Sequence, residues 1–245
     1  MADDGAEAEV EEEQSVPLSQ DDVNAGLSEL ASSVDGTSVV FTRLALPGRL
    51  AEDISGVAFL SNVRYIDLSN NLIKDASPLE LLEHLLELDV SQNRLAEFAI
   101  GPLAFLQNRL AEFAIGPLAF LQSLDCSRNK LRALEGLEAP LLRRLSLDCS
   151  RNKLKAFEGL EAPLLRRLLQ TLELDNNQMA SCAGLGRASL KTLTLANNLI
   201  SDASGLEGLD LKSLDLSTNK LTGLQGLPTS GMLKRLILKA NQAGP

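Results

Sequence analysis

Residues 63–73 read VRYIDLSNNLI and residues 85–95 read LLELDVSQNRL. Aligned, they share apolar residues at positions one, four, six and eleven, with an asparagine at position nine. The same eleven-position template returns at residues 121–131 (LQSLDCSRNKL), 169–179 (LQTLELDNNQM), 190–200 (LKTLTLANNLI), 211–221 (LKSLDLSTNKL) and 233–243 (LKRLILKANQA). A poorer copy ends at Leu154, with Arg144 in the first position. The template asparagines are Asn71, Asn93, Asn129, Asn152, Asn177, Asn198, Asn219 and Asn241, at steps of 22, 36, 23, 25, 21, 21 and 22 residues. Self-similarity at such a period is the mark of stacked structural repeats.

Each template position has a physical task. Positions four and six alternate with position five, so they point to one face of a short strand and fill an interior. The asparagine sits where the chain leaves the strand, and its amide can satisfy backbone groups of neighbouring turns, forming a ladder. Between templates a second apolar rhythm with a spacing of three, as in Leu131, Leu134 and Leu137, suits a short 3₁₀ turn on the outer face. One such coil cannot bury its apolar side alone, so neighbours must stack. The expected fold is an α/β repeat solenoid: a curved right-handed coil, a parallel β-sheet on the concave face, loops and short 3₁₀ or helical turns on the convex face.

The domain plan has three parts. Residues 1–17 are acidic and poor in apolar side chains, the composition of a disordered tail. Residues 18–36 are expected to form a capping helix running to about Ser32, with Ser19 as N-cap, Asp21 and Asp22 in the first turn, and Val23, Leu27 and Leu30 as its apolar stripe. Residues 37–245 form the repeat domain of about eight or nine coils, opening with a degenerate coil at 39–50 that has Arg49 in the asparagine's place. The last coil ends without a capping sequence, so the natural protein is expected to continue.

Two tandem duplications interrupt the rhythm. Residues 93–107 (NRLAEFAIGPLAFLQ) recur unchanged as 108–122, and fifteen residues are too few for a coil. An irregular bulge is therefore expected within 96–122. Residues 123–145 recur as 146–168 with two differences, Arg132 against Lys155 and Leu134 against Phe157. That unit is long enough to become an added coil.

Composition excludes several classes of function. The net charge of −10 resides in the N-terminal segment: eleven acidic residues and no Lys or Arg precede Arg43, leaving 22 acidic against 23 basic residues in the remainder. A body so nearly neutral lacks the cationic excess that phosphate neutralisation requires, which disfavours nucleic-acid partners. There is no apolar run long enough for a membrane span and no signal-peptide pattern, so an intracellular address is expected. His84 stands alone, without a partner at ligand or general-base spacing. Cys126, Cys149 and Cys182 all replace core apolar residues, and their separation offers no zinc tetrad. No catalytic, cofactor-binding or metal site is expected.

The informative surface is the strand face turned away from the core. Its fifth template position reads Asp67, Asp89, Asp125, Asp148, Glu173, Thr194, Asp215, Ile237. The seventh position adds Asp175 among serines, and the third begins with Tyr65 and Glu87 and ends with Arg235. Tyr65 is the single aromatic that the template places on this face. Stacked in register, these residues would make a negative column for a basic or helical partner, turning apolar and basic in the last coil.

The template, its 21–23-residue period and the N-x-[IL]-x-x-[ALF] continuation resemble the sds22-like class of leucine-rich repeats, across roughly residues 39–241. Residues 18–31 (LSQDDVNAGLSELA), 44–46 (LAL) and 60–95 are similar to the leucine-rich repeat-containing protein 23 family, which also has an acidic N-terminal extension. The resemblance implies a protein-interaction scaffold in the radial spokes of a ciliary or flagellar axoneme, a cytoskeletal setting, with spoke components as partners. The class also implies an alternative, a regulatory subunit wrapped around a phosphatase catalytic subunit. A splicing-associated RNA partner fits the neutral body less well.

Overall fold

A computed structural model describes residues 17–96, 121–134, 145–157, 169–185 and 188–242. Ten strands form one sheet in strict sequence order: β1 (Leu27–Ser32), β2 (Val39–Ala45), β3 (Tyr65–Asp67), β4 (Glu87–Asp89), β5 (Ser123–Asp125), β6 (Leu145–Asp148), β7 (Leu169–Glu173), β8 (Thr192–Thr194), β9 (Ser213–Asp215) and β10 (Arg235–Ile237). From β2 onward every pair is parallel, so each strand is one turn of a solenoid and the coil itself is the crossover. Two 3₁₀ turns, Ser55–Val57 and Ser77–Leu81, belong to the outer segments and bury Val57 and Leu79.

The core is a stack of leucines. Position four is Ile66, Leu88, Leu124, Leu147, Leu172, Leu193 and Leu214, each at most 3% exposed. Thin layers of one residue type suit identical coils, because each side chain packs against its counterpart above and below. In Leu236 the same position is 41% exposed, since no further coil of the described chain covers it.

Every coil turns out of its strand in the same way. The residue before the asparagine is left-handed, with φ between 54° and 58° at Asn70, Gln92, Arg128, Arg151, Asn176, Asn197, Thr218 and Ala240. Gly48 takes this role in the first coil, where Arg49 fills the asparagine's place.

The stack absorbs the irregular intervals. β4 pairs with β5 in register, Asp89 opposite Asp125, although their asparagines are 36 residues apart. The bulge expected within 96–122 falls on residues 97–120, outside the described ones. The duplicated unit supplies β5 and β6 as neighbouring coils, Asp125 opposite Asp148. The long step to Asn177 is relieved by a shift between Leu145 and Ser146, where β7 carries one extra residue.

The N-terminal element departs from expectation. Helix α1 spans only Gln20–Gly26, closed at its start by a capping box in which Ser19 and Asp22 hydrogen-bond reciprocally. The chain then becomes β1, antiparallel to β2, with Leu27 opposite Leu44 and Leu30 opposite Phe41. The helix stops because Gly26 lies on β2, where an added Cβ would sit 2.7 Å from Leu46 and 2.8 Å from the Ala45 carbonyl. The β-branched run of β2 offers an unpaired edge, and satisfying its backbone outweighs extending a short helix. Val23 is buried in the core, but Leu30 is exposed rather than part of a helical stripe.

Candidate functional site

The asparagines are built into the stack as clamps. Asn71 Nδ2 donates to the Leu46, Leu68 and Ser69 carbonyls, while its Oδ1 accepts from the Arg49 and Ala51 N–H groups. Asn93, Asn129, Asn152, Asn177, Asn198 and Asn219 repeat the pattern, each reaching back to the preceding coil through both ends of its amide. Asn241 does the same, less buried, in the last coil. These residues hold the strands in register and therefore fix the surface the strands present.

On that surface Asp67, Asp89, Asp125, Asp148 and Glu173 stand directly opposite one another on five successive strands. Adjacent strands lie about 4.8 Å apart, so the carboxylates form a continuous column. Thr194 interrupts it and Asp215 resumes it; Ile237 and Arg235 close the far end. Glu87 lies beside Tyr65 and Asp175 beside Glu173 in the flanking rows.

The aspartates also do local work. In each of five coils the Oδ1 accepts the N–H of the serine two residues on, as Asp67 does from Ser69, Asp89 from Ser91 and Asp125 from Ser127. Where Thr194 lacks a carboxylate, Asp175 reaches over from the preceding coil to accept from Ala196 N–H. The crowding shows in the acidities. Burial raises the Asp89 pKa above the ordinary carboxylate value, with smaller contributions from the Asp125 and Asp67 charges. Burial raises Glu173 and Asp175 as well, with Asp148 a contributor to both.

The N-terminal end of the face carries more than the template reading placed there. Arg43 lies with its guanidinium 4.9 Å from the Tyr65 ring centre and pairs with Glu29 at 2.7 Å. Beside it a hollow of about 290 Å³ is lined by Arg43, Tyr65, Asp67, Glu87, Asp89 and Asp125, among others. Strand alternation puts Phe41 and Val39 on the same face as Arg43, and Leu30 opposite Phe41 joins them. All three are exposed, by 46%, 70% and 66% respectively. Tyr65 is thus not the only aromatic on this side. The alternation in VVFTRLA was the available signal, hidden because this coil lacks the template.

The remaining candidates are Cys126, Cys149, Cys182 and His84. Cys126 and Cys149 are buried in adjacent layers with Sγ atoms 3.1 Å apart, and burial with the Cys126 contact drives the Cys149 thiol pKa well up. Cys182 is pushed up to about 12 by burial. His84 lies half-buried in the turn before β4. Among the described residues no group of three or more His, Cys, Asp and Glu could hold a metal ion, and no helix is long and apolar enough to cross a membrane.

No protein-family model matches the chain. Human (Homo sapiens) leucine-rich repeat-containing protein 23 is 34% identical over 90 residues, 37% of this chain and 26% of that protein. The Homo sapiens leucine-rich repeat and guanylate kinase domain-containing protein is 36% identical over 89 residues, 36% of this chain and 11% of that protein. The chain thus matches about a quarter or less of these relatives' length. Among solved structures, internalin C2 from Listeria monocytogenes aligns with a TM-score of 0.62 and 26% identity, covering 82% of this chain and 85% of that one. Ten strands in sequence order among the described residues, an asparagine clamp in every described coil after the first and these likenesses lead to one assignment: the chain has the leucine-rich-repeat fold, and part of it is similar to leucine-rich repeat-containing protein 23.

Proposed function

We propose that this protein is a non-catalytic scaffold that holds partner proteins on its concave sheet face, as a structural component of the ciliary or flagellar axoneme within the radial spoke. The observation that carries the reading is the in-register carboxylate column. Five like charges stacked one strand apart repel one another and oppose folding, and a cationic partner surface removes that cost. The axonemal setting is supported by the partial similarity to leucine-rich repeat-containing protein 23. A second reading, a regulatory subunit of a phosphatase, is favoured by one observation: Phe41 joins Tyr65 and the acids on the concave side, and aromatic anchors beside charge are typical of binding hot spots.

One experiment tests both. Detergent- and salt-washed axonemes are prepared from cells expressing the wild-type protein or the triple variant Asp89→Asn, Asp125→Asn, Asp148→Asn. Asparagine keeps the oxygen that accepts the serine N–H, so the variant loses charge without losing the cap. The wild type is expected to stay with the axoneme and the variant to be released at lower salt. Release of the wild type into the soluble fraction together with a phosphatase catalytic subunit would select the second reading. Equal retention of both proteins would remove the acidic column from the account.

A further inference from the structure

We propose that Cys126 and Cys149 are a redox-linkable pair: a peroxide oxidises them to a disulfide that staples the coils of β5 and β6 together inside the stack. The pair arises from the tandem copy of residues 123–145 as 146–168. Strand residues of one unit face their own duplicates across the ladder, Ser123 opposite Ser146 and Asp125 opposite Asp148. One residue further on, at template position six, the duplicated side chain is a thiol. The layers on either side place Val90 and Leu174 there, and these have nothing to oxidise.

The two cysteine backbones are held side by side. Asn152 Nδ2 donates to the Cys126 carbonyl and to the Cys149 carbonyl, both at 3.0 Å, and Cys126 N–H donates to the Asp148 carbonyl at 2.9 Å. Adjacent strands lie ~4.8 Å apart, inside the ~4.4–6.8 Å that a disulfide spans between its Cα atoms. The sulfurs are 3.1 Å apart, less than the ~3.5–4.0 Å at which the smaller carbon atoms rest in contact. They need to approach by only ~1 Å more to reach the S–S bond length of ~2.05 Å. Both thiols are free and buried. The third, Cys182, lies beyond β7 and its asparagine, in the outer segment.

The oxidation balances with hydrogen peroxide. One thiol gives up its proton and attacks the peroxide; the O–O bond breaks, an S–O bond forms, and the released hydroxide takes the proton to become water. The second sulfur, likewise deprotonated, attacks the sulfenic sulfur; the S–S bond forms, the S–O bond breaks, and the departing hydroxide leaves as a second water. Each sulfur loses one electron, and the peroxide gains both. Hydrogen peroxide is little larger than water, so it enters where coils part briefly. Thiolate is the reacting form, and burial with the Cys126 contact drives the Cys149 pKa well up, so the closed stack reacts slowly. The pair is therefore a lock set by sustained oxidant, and a thiol-rich compartment keeps it open. Once formed, the bond fastens the coils that carry Asp125 and Asp148 and restricts the unfolded chain between them.

The full chain tests this. Reduced protein is treated with hydrogen peroxide in native buffer and in concentrated urea, free thiols are alkylated, and tryptic peptides are weighed. Trypsin separates the cysteines by cutting at Arg109 and Arg128 around Cys126, Arg144 and Arg151 around Cys149, and Arg167 and Arg187 around Cys182. Native buffer is expected to give Cys126 linked to Cys149, about 2 Da lighter than the two thiol peptides together, with Cys182 alkylated. Urea is expected to give mixed pairings. The linked protein is expected to unfold at a higher urea concentration than the reduced one, a gain that dithiothreitol abolishes and Cys149→Ala never shows. Recovery of Cys126 and Cys149 as alkylated thiols or as separate sulfinic acids overturns the proposal, as does a native link to Cys182. A urea midpoint unmoved by the link overturns the staple. The wild-type digest and its midpoint decide even where the alanine variant fails to fold.

Discussion

An asparagine side chain has two N–H donors and an oxygen with two lone pairs, and at Asn198 both ends are engaged. Its Nδ2 serves the carbonyls of Leu174, Leu195 and Ala196, and its Oδ1 accepts from Met179 N–H at 3.0 Å. All of this happens at 6% exposure, so no water can take over. Asn198→Ala is expected to cost about 3 kcal/mol, because several buried backbone groups lose their partner at once. Urea unfolding measures it, and a loss under about 1 kcal/mol would mean the backbone finds other partners. This residue was legible in the sequence because its chemistry is irreplaceable at that position. The left-handed residue before it was not: Asn70, Gln92, Arg128, Thr218 and Ala240 share a backbone angle and no side-chain property. The aspartate two residues before each serine is legible as charge; its hydrogen bond to the serine N–H is a second role that the Asp-x-Ser pattern favours.

At the scale of the element, the outer segments are positioned by glycines as much as by leucines. Gly184, Gly205 and Gly226 recur at the same offset in three consecutive coils with φ of 106°, 106° and 80°. A Cβ on Gly226 would lie 2.2 Å from Ser204 N and 2.4 Å from the Ala203 carbonyl carbon, contacts with backbone that cannot swing aside. Gly226→Ala is expected to destabilise by about 2 kcal/mol or more, whereas Gly208→Ala, which meets nothing within 4 Å, changes little. Comparing the two melting temperatures checks it; equal values would show that the coils part freely. The strands and outer turns were readable from apolar spacing alone. β1 was not, because Val23, Leu27 and Leu30 fit a helical stripe as well as they fit a helix followed by a strand, and only the unpaired edge of β2 decides between them.

For the molecule as a whole, the concave acids set an unusual response to pH. A carboxyl whose pKa is higher folded than unfolded holds its proton more tightly in the fold, so stability is gained as pH falls through that value and lost as it rises. Asp89, Glu173 and Asp175 are of this kind. Asp35, lowered to about 2 by Ser33 and Thr37, is of the opposite kind, and its contribution is lost only as pH falls from 3.8 towards 2. The contribution of Asp89, Glu173 and Asp175 is therefore expected to raise stability as pH falls from neutral through their raised pKa values toward the unfolded carboxylate value near 4. Stability is expected to fall below that, as Asp35 takes up its proton. Added salt should flatten the rise. A Tm that drops steadily from neutral pH to about 4 would show that the column carries no strain.

Every amide clamp reaches backward: Asn71 to the first coil, Asn93 to the second, and so on to Asn241. Arg49 can occupy the slot in the first coil because what lies behind it is an antiparallel hairpin, with no coil to fasten. As the ribosome releases the chain from its N-terminus, each newly emerged coil finds its docking platform already in place and completes it on arrival. Assembly can thus advance like a ratchet in the direction of translation, each tooth catching the one made before.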